Sequence, residues 1–440
     1  MSSSRRQFIG DAGKVITAAA IPQFFLQKVK TENNYSANDT INLGLIGARN
    51  QGMSDLRQAL KQSGVRCIAL CDIDNAVLEE KSTEIETIQG KKPEIYKDFR
   101  KLLENKDVDA VIIGTPDHWH CYQLIAALEA GKDIYVEKPL ANSIGECDLM
   151  VKAVRKYNKI VQVGQQQRSG DHWQTAMDYI KDGKLGQLRK ILIWANFNYG
   201  VGQPKVPDTP VPAGVDFDMW LGPAPERSFN NARFHGSWRM FWDYGGGLMT
   251  DWGVHLVDMA LWANDTTALP LSVAATGGNF AFPERAHETF DTMNVVYQMP
   301  EYDINWMHAA GTQTGPWGRN YGLAFIGNDA TIVIDRESWD LFPEMENGQY
   351  KVPAMPRQQG HNSHEAHVKN WIDCIRTRQE PVCPVEMGRL AAVYTHMGNI
   401  ALRTQSQLIW DNPAHNFGSN TAANKLLLPS YRRPWNLPSF

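Results

Sequence analysis

The chain has 440 residues, 43% of them hydrophobic and 21% charged, a composition that excludes a collagen, a coiled coil or wholesale disorder. Lysine and arginine number 44 against 48 acidic residues, so the net charge of −4 indicates no nucleic-acid or membrane-surface partner held by bulk charge. The length predicts two or three domains, and the absence of about 20 consecutive apolar residues predicts no spanning helix.

The first 38 residues are predicted to be an export signal followed by a polar linker. A twin-arginine pattern at Ser4-Arg5-Arg6-Gln7-Phe8 precedes a short apolar run from Val15 to Leu26. A charged start followed by a short apolar region is typical of a cleaved signal rather than of a membrane span. The alternative is a tail that happens to contain two arginines. The pattern predicts an exported, periplasmic protein.

Residues 39–165 are predicted to form a dinucleotide-binding domain. A buried strand at 41–46 leads into a glycine-containing turn, a helix from Met53 to Ser63 and a second strand at 65–70. In this order the backbone of the turn approaches a pyrophosphate at the N-terminus of the helix. The candidate contacts in the turn are Gly47, Arg49, Asn50 and Gly52.

The turn departs from the usual fingerprint, because Arg49 stands where the middle glycine is expected. An ordinary strand-to-helix connection is therefore the alternative interpretation. Asp72 follows the second strand, where a carboxylate accepts from ribose hydroxyls and repels a 2′-phosphate. This residue favours NAD over NADP.

Further apolar strands are predicted at 108–114, 134–136 and 157–164, with a helix at 124–130. Strands that alternate with helices predict a parallel, doubly wound α/β sheet. Ligands of such sheets bind outside the carboxyl ends of the strands. Asp72, Thr115 and Lys138 each follow a predicted strand at that edge.

Three sequence blocks resemble the Gfo/Idh/MocA family (glucose-fructose oxidoreductase and inositol dehydrogenase). They are Thr115-Pro116-Asp117-His118-Trp119-His120, Glu137-Lys138-Pro139, and an Asp-x-x-x-His pattern formed by Asp251 and His255. The resemblance covers about residues 40 to 435. It implies a Rossmann-type domain followed by an α+β domain at 166–440 with a large, mostly antiparallel sheet. It leaves open that the C-terminal segment packs back on the first domain.

The resemblance also implies roles for individual residues. Lys138 is expected between nicotinamide and substrate, with Glu137 at the cofactor and His120 framing the nicotinamide pocket. Catalytic roles are expected for Lys138, Asp251 and His255. The expected cofactor contacts are Gly47, Arg49, Asn50, Gly52, Asp72, Thr115, Pro116, His120, Glu137 and Lys138. Family sheets of this kind form subunit interfaces, so a homo-oligomer is expected through the C-terminal sheet.

The spacing of Asp251 and His255 suggests how they act. Residues four apart share one face of a helix, so the carboxylate is predicted to orient the imidazole. The imidazole then accepts a hydroxyl proton, while Lys138 stabilises the developing alkoxide. The alternative is a helix with a capping aspartate and a hydrogen-bonded histidine.

No metal site is predicted. His118 and His120 are two apart on a predicted loop, and no second cluster completes a zinc site around His361, His364 and His367. The second half of the chain is rich in aromatic residues, which predict a core and also suit a carbohydrate pocket. The candidate polar contacts to a sugar are Asn196, Asn198, Arg233, His235 and Arg239.

The sequence therefore predicts an exported, NAD-dependent dehydrogenase that oxidises a secondary hydroxyl of a sugar or glycoside, with C3 as the candidate carbon. One alternative is a glycoside hydrolase that keeps NAD bound and works through transient oxidation, elimination, water addition and re-reduction. The second alternative is a nucleotide- or sugar-binding protein that has lost catalysis.

Overall fold

The computed structural model describes residues 40–437. The predicted twin-arginine signal lies outside the described residues. The first part of the chain forms a six-stranded sheet in which every strand pair is parallel, in the order β3-β2-β1-β4-β5-β6. Its elements are β1 (Ile41–Ile46), α1 (Asn50–Leu60), β2 (Val65–Cys71), α2 (Asn75–Gln89), β3 (Glu94–Tyr96), α3 (Phe99–Glu104), β4 (Ala110–Ile113), α4 (Asp117–Glu129), β5 (Asp133–Val136), α5 (Ile144–Tyr157) and β6 (Val161–Val163).

The central strands of this sheet are covered on both faces. Every residue of β4 and β5 is buried, as expected when helices pack on both sides of a parallel sheet. The predicted parallel, doubly wound sheet is therefore confirmed. One predicted strand is too long: of residues 157–164 only Val161–Val163 pair. Tyr157 ends α5, and Asn158 adopts a left-handed conformation that terminates the helix.

The second part of the chain is built around an eight-stranded sheet in the order β16-β13-β12-β11-β7-β10-β9-β8. Only the pair β7–β10 is parallel. Its elements are α6 (Asp171–Lys181), β7 (Leu188–Ala195), α7 (Phe217–Leu221), α8 (Val254–Trp262), β8 (Ser272–Gly278), β9 (Thr292–Gln298), β10 (Asp303–Ala309), β11 (Tyr321–Gly327), β12 (Ala330–Ile334), β13 (Ser338–Pro343), β14 (Met345–Glu346), β15 (Gln349–Tyr350), β16 (Gln358–Gln359), α9 (His364–Thr377), α10 (Val385–Thr404) and α11 (Thr421–Asn424).

This sheet is the predicted large, mostly antiparallel one. Along β9, buried and exposed residues alternate, the pattern of a sheet that packs on one face only. The buried face packs against α8 and α10, where Trp306, Tyr297 and Met397 lie in one apolar core. Among residues 40–437, no helix has the length and apolarity needed to cross a membrane.

The two parts are tied together by the last third of the chain. Helix α9 packs on α1, and its Val368, Trp371 and Ile372 belong to the same apolar core as Leu43 of β1. Near the C-terminus, Trp435 lies 4.9 Å from the ring of Trp119 in α4. The first domain is therefore completed by residues far away in sequence.

Candidate active site

A cleft opens at the carboxyl ends of β1, β2, β4 and β5. Its lining includes most of the predicted cofactor contacts: Gly47, Arg49, Asn50, Asp72, Thr115, Pro116, Glu137 and Lys138. The second part of the chain closes it with Trp220, His235, Trp238 and Arg239. Ligands of open α/β sheets bind at this edge. We call the part around residues 47–52 and Asp72 the nucleotide half.

Backbone dominates the nucleotide half. Gly47 has φ +84°, and a Cβ there would lie 2.8 Å from the backbone of Gly114 and Thr115. A Cβ on Gly52 would lie 2.2 Å from the carbonyl oxygen of Gly47. Gly52 therefore lets α1 pack tightly on the turn without itself lining the cleft, which is the packing function of the last glycine in such turns.

The Asp72 carboxylate is hydrogen-bonded to the backbone of this turn. Its Oδ2 accepts from the amide of Ala48 at 2.9 Å, and its Oδ1 accepts from the amide of Asp74 at 3.2 Å. Burial raises the pKa of Asp72, while these amide donors oppose the shift. The carboxylate faces the cleft at the end of β2, where a ribose would lie.

Two basic residues, Arg49 and His235, line the same cleft as Asp72. Arg49 precedes the first residue of α1 and lines the cleft, and it forms no ion pair with any residue of 40–437. His235, predicted as a sugar contact, is placed elsewhere: its Nε2 lies 2.8 Å from Oδ2 of Asp74. The turn, the first turn of α1 and Asp72 together fit a dinucleotide, with Arg49 available to an anionic group of the cofactor.

His120 connects the backbone of two segments next to the cleft and does not line the cleft itself. Its Nδ1 lies 2.8 Å from the carbonyl oxygen of Pro139 and its Nε2 lies 2.9 Å from that of Thr115. Burial lowers the pKa of His120 to about 4, so the neutral ring donates to one of these carbonyls at a time. The loop predicted for His118 and His120 is wrong, because α4 begins at Asp117 and both residues lie in its first turn.

Glu137 belongs to a buried acidic cluster that no sequence pattern predicts. Burial, together with the nearby Asp55 carboxyl, raises its pKa to about 8. Asp55 on α1 accepts from Gln51 at 2.9 Å, and Nε2 of His364 lies 2.7 Å from it. The side chains of Asp55 and Glu137 are also hydrogen-bonded to each other, so the two buried carboxyls form one coupled pair.

Lys138 and Asp251 form the centre of what we call the substrate half. Lys138 follows β5, and its Nζ donates to Oδ1 of Asp251 at 2.6 Å and to the Asp251 carbonyl oxygen at 3.2 Å. Tyr199 donates its hydroxyl to Oδ2 of Asp251 at 3.0 Å, and Nε of Arg239 lies 3.2 Å from Oδ1. Despite burial, the Lys138 and Arg239 charges hold the pKa of Asp251 well below its usual range.

The turn that carries Asp251 is π-helical, from Met249 to Gly253, and such turns occur often at functional sites. The preceding glycines hold it. Gly246 donates to Oγ1 of Thr250 at 3.0 Å and accepts from Asn399 at 2.9 Å. A Cβ on Gly246 would lie 2.5 Å from Thr250, so the close approach requires glycine.

His255 does not pair with Asp251, which corrects the predicted carboxylate–imidazole couple. The π-helical turn changes the spacing assumed for a regular helix, and both carboxylate oxygens of Asp251 bond elsewhere. Nδ1 of His255 is buried and has no partner among the described residues. Burial lowers the pKa of His255 well below its usual value, and the charges of Arg336 and Lys138 add to the shift. The imidazole is therefore neutral.

The other predicted sugar contacts lie in different places. Asn196 donates to the carbonyl oxygen of Thr314 at 2.6 Å and accepts from Ala309, so it joins strands. Arg233 donates to the carbonyl oxygen of Ser228 at 2.6 Å. Asn198 is exposed. Of the five, Arg239 is the one that contacts Asp251.

The structure adds residues that sequence reasoning missed. Asp117 lines the cleft, and burial raises its pKa to about 8 against the opposing charges of Arg239 and Lys138. Tyr199, Trp252 and Tyr321 form an aromatic wall with Phe197, whose ring lies 4.4 Å from that of Trp252. The hydrophobic pattern marks such rings as core, and among them Tyr199 is set apart by its hydrogen bond to Asp251.

The fold and cleft define a protein with a nucleotide-binding domain joined to a domain that supplies ionisable side chains over the same cleft. Two family models match. Residues 41–165 match the oxidoreductase family, NAD-binding Rossmann fold, and residues 180–298 match its C-terminal alpha/beta domain. Together these matches cover more than half of the chain. The chain therefore belongs to the Gfo/Idh/MocA oxidoreductase family.

Individual relatives match more distantly. A glycosyl hydrolase family 109 protein from Shewanella baltica is 30% identical over 154 residues, which is 34% of this chain and 34% of that protein. The solved structure of aldose-aldose oxidoreductase from Caulobacter crescentus matches 84% of this chain and 99% of its own, with a TM-score of 0.64 and 21% identity. The solved structure of a levoglucosan dehydrogenase in complex with NADH matches 84% of this chain and 98% of its own, with a TM-score of 0.62 and 18% identity.

Proposed function

We propose that this protein is an NAD-dependent oxidoreductase that oxidises a secondary hydroxyl of a sugar or glycoside. The observation that carries the proposal is the bond between Lys138 and Asp251. It places a cation, held by a carboxylate from the other domain, where the nucleotide cleft ends. The family membership and the names of the sugar oxidoreductases of similar fold support the same class.

The residues of the substrate half suit the chemistry of alcohol oxidation. When bound, NAD supplies the nicotinamide ring that accepts the hydride from the carbinol carbon. Lys138 stabilises the negative charge that develops on the substrate oxygen. The neutral ring of His255 has a free acceptor position for the hydroxyl proton. The carbinol thus loses a hydride and a proton and becomes a carbonyl.

The cofactor proposal is NAD rather than NADP. Asp72 lies at the end of β2 with two backbone amides already on its carboxylate, which keeps a negative charge where a 2′-phosphate would lie. Arg49 has no acidic partner among the described residues and is the group that favours the opposite choice. A direct comparison of NAD and NADP binding shows whether Asp72 or Arg49 determines the cofactor preference.

A redox-neutral glycoside hydrolase is the second candidate, and the relatives named glycosyl hydrolase family 109 favour it. In this reaction a transient ketone acidifies the neighbouring C–H and permits elimination of the aglycone. Water then adds, and the ketone is reduced again. The oxidation step is the same as in the dehydrogenase, so both candidates use Lys138.

One experiment separates the candidates. Protein purified without added cofactor is mixed with a panel of glycosides, with absorbance at 340 nm and released sugar followed together. A lasting increase without sugar release supports the dehydrogenase, and NMR of the product locates the carbonyl, for which we propose C3. Release over many turnovers without a net change supports the hydrolase. Ligand binding with neither signal supports a binding protein that has lost catalysis.

We also propose export by the twin-arginine route and a homo-oligomer formed through the eight-stranded sheet. Cell fractionation of the native chain and of an Arg5→Lys, Arg6→Lys variant tests the first. The mass of the purified protein in solution tests the second. A variant that still reaches the periplasm, or a monomer, contradicts the respective proposal.

A further inference from the structure

Arg336 is a largely buried guanidinium that lacks an acidic partner in the described part of the chain. Its Nη2 donates to the amide oxygen of Gln167 at 3.3 Å, and its Nε is buried without a partner. Burial lowers the pKa of Arg336. An unpaired cation in such surroundings is costly unless an anion accompanies it.

Other buried arginines of this chain have carboxylates of their own. Arg168 makes a two-pronged contact with Asp258 at 2.7–3.0 Å. Arg319 contacts Asp335 at 2.9 Å and Asp340 at 2.6 Å. Arg168 and Arg319 thus each have a carboxylate partner, whereas Arg336 has none among the described residues.

The position of Arg336 connects it with the substrate half. It follows β12, and its guanidinium lies over the ring of Trp252, with the Cζ 4.5 Å from the ring centroid. Trp252 is the neighbour of Asp251 in the chain, and its ring lies 6.0 Å from that of His255. Of the nearby charged groups, Arg336 has the largest effect on the pKa of the His255 imidazole, which it lowers. The side chain keeps some exposure, so a ligand can reach it.

The charges around this point leave a positive excess. Lys138, Arg239 and Arg336 are cations, and the Asp251 carboxylate balances one of them. Asp117 and Glu137 have pKa values of about 8 and are mostly protonated at neutral pH. A substrate that carries a negative charge would complete the balance.

We propose that the substrate of this site carries a carboxylate, as in a hexuronate or a uronide, and that Arg336 binds that group. The choice of a carboxylate follows from geometry. The guanidinium lies over the Trp252 ring and is bonded to Gln167 at one nitrogen, which leaves N–H donors for a planar, two-oxygen anion. This inference rests on the proposed function for the identity of the oxidised hydroxyl, but not for binding.

The test compares a glucuronide with the matching glucoside and the glucoside 6-phosphate, by turnover at 340 nm and by calorimetric binding. Native protein is expected to prefer the glucuronide over the glucoside in kcat/KM by about 10- to 100-fold, as a charged hydrogen bond implies. Arg336→Met should lose this preference, mainly through a higher KM for the glucuronide, so that its kcat/KM values for the two substrates agree within about threefold. Arg336→Lys should regain part of it.

Several outcomes would overturn the proposal. They are a native preference for the glucoside or the 6-phosphate, or an Arg336→Met variant that weakens the glucuronide and the glucoside equally. The native substrate panel decides even if the Met variant fails to fold. If the glucuronide binds only to protein with Arg336 and nothing is oxidised or cleaved, the proposed function fails and the carboxylate site stands.

Discussion

The nucleotide half of the cleft is made of backbone from one strand–turn–helix unit, whereas the substrate half is made of charged side chains from distant segments. In the first, Gly47 and Gly52 permit a tight turn that a Cβ at either position would distort. In the second, Lys138, Tyr199 and Arg239 converge on Asp251. Backbone recognition depends on local shape, and the charge network depends on how the two domains meet. The two halves should therefore respond differently to substitution.

The largest expected effect is on turnover through the substrate half. Lys138→Met should reduce kcat by roughly 10²- to 10⁴-fold, because it removes the cation beside the reacting oxygen. The dissociation constant for NAD should change by a much smaller factor than kcat, since the backbone contacts of the nucleotide half are untouched. Steady-state kinetics and cofactor titration measure the two quantities. Lys101→Met, on the exposed face of α3, serves as the control, and a kcat retained by Lys138→Met would contradict the assignment.

The nucleotide half should respond in the reverse manner. Gly52→Ala places a methyl group 2.2 Å from the carbonyl oxygen of Gly47, so the turn must shift. We expect NAD binding to weaken by about tenfold or more and stability to fall by about 1–3 kcal/mol. Gly90→Ala is the matched control, because a Cβ there meets nothing within 4 Å. It should cost about 1 kcal/mol through its positive φ and leave NAD binding unchanged. Equal NAD affinities in Gly52→Ala and Gly90→Ala would contradict the role of Gly52 in shaping the cofactor-binding turn.

A smaller effect is expected on cofactor choice. Asp72→Asn keeps an acceptor for the amide of Ala48 and removes the charge that faces the ribose. The ratio of NADP to NAD affinity should rise by about tenfold, with Arg49 assisting the 2′-phosphate. Competitive binding of the two cofactors gives the ratio. The exposed Asp107→Asn variant should leave it unchanged, and an unchanged ratio in Asp72→Asn would mean that Arg49 governs the choice.

The last expected effect concerns the pH dependence of stability, and it is measured as a difference in Tm between two pH values. Burial raises the pKa of Asp117 to about 8, so the folded state holds a proton that the unfolded state releases near pH 4. The contribution of the protonated carboxyl to the free energy of unfolding is therefore full below about pH 4 and is lost as pH rises through about 8. Asp117→Asn should show a smaller decrease in Tm between pH 5 and 8 than native protein. Parallel Tm curves would exclude this shift.

The contrast also explains what the sequence could predict. The first strand, the turn and Asp72 are contiguous, so their order in the chain already specifies the nucleotide half. The same reasoning misplaced His235, whose partner Asp74 lies in the other domain. It also paired Asp251 with His255, because a spacing of four assumes a regular helix and the structure has a π-helical turn there. Arg336 and Asp55 follow no local pattern, and only the folded chain places Arg336 over Trp252 and Asp55 beside Glu137.

Helix α9 has a consequence for how the molecule is made. Its Trp371 and Ile372 fill the core beneath β1, and His364 closes over Asp55. While the ribosome is still translating the segments before α9, the nascent Rossmann-type domain has an unfilled apolar side. Its assembly is therefore expected to finish late in synthesis, and a fragment ending near residue 165 should aggregate rather than capture nucleotide.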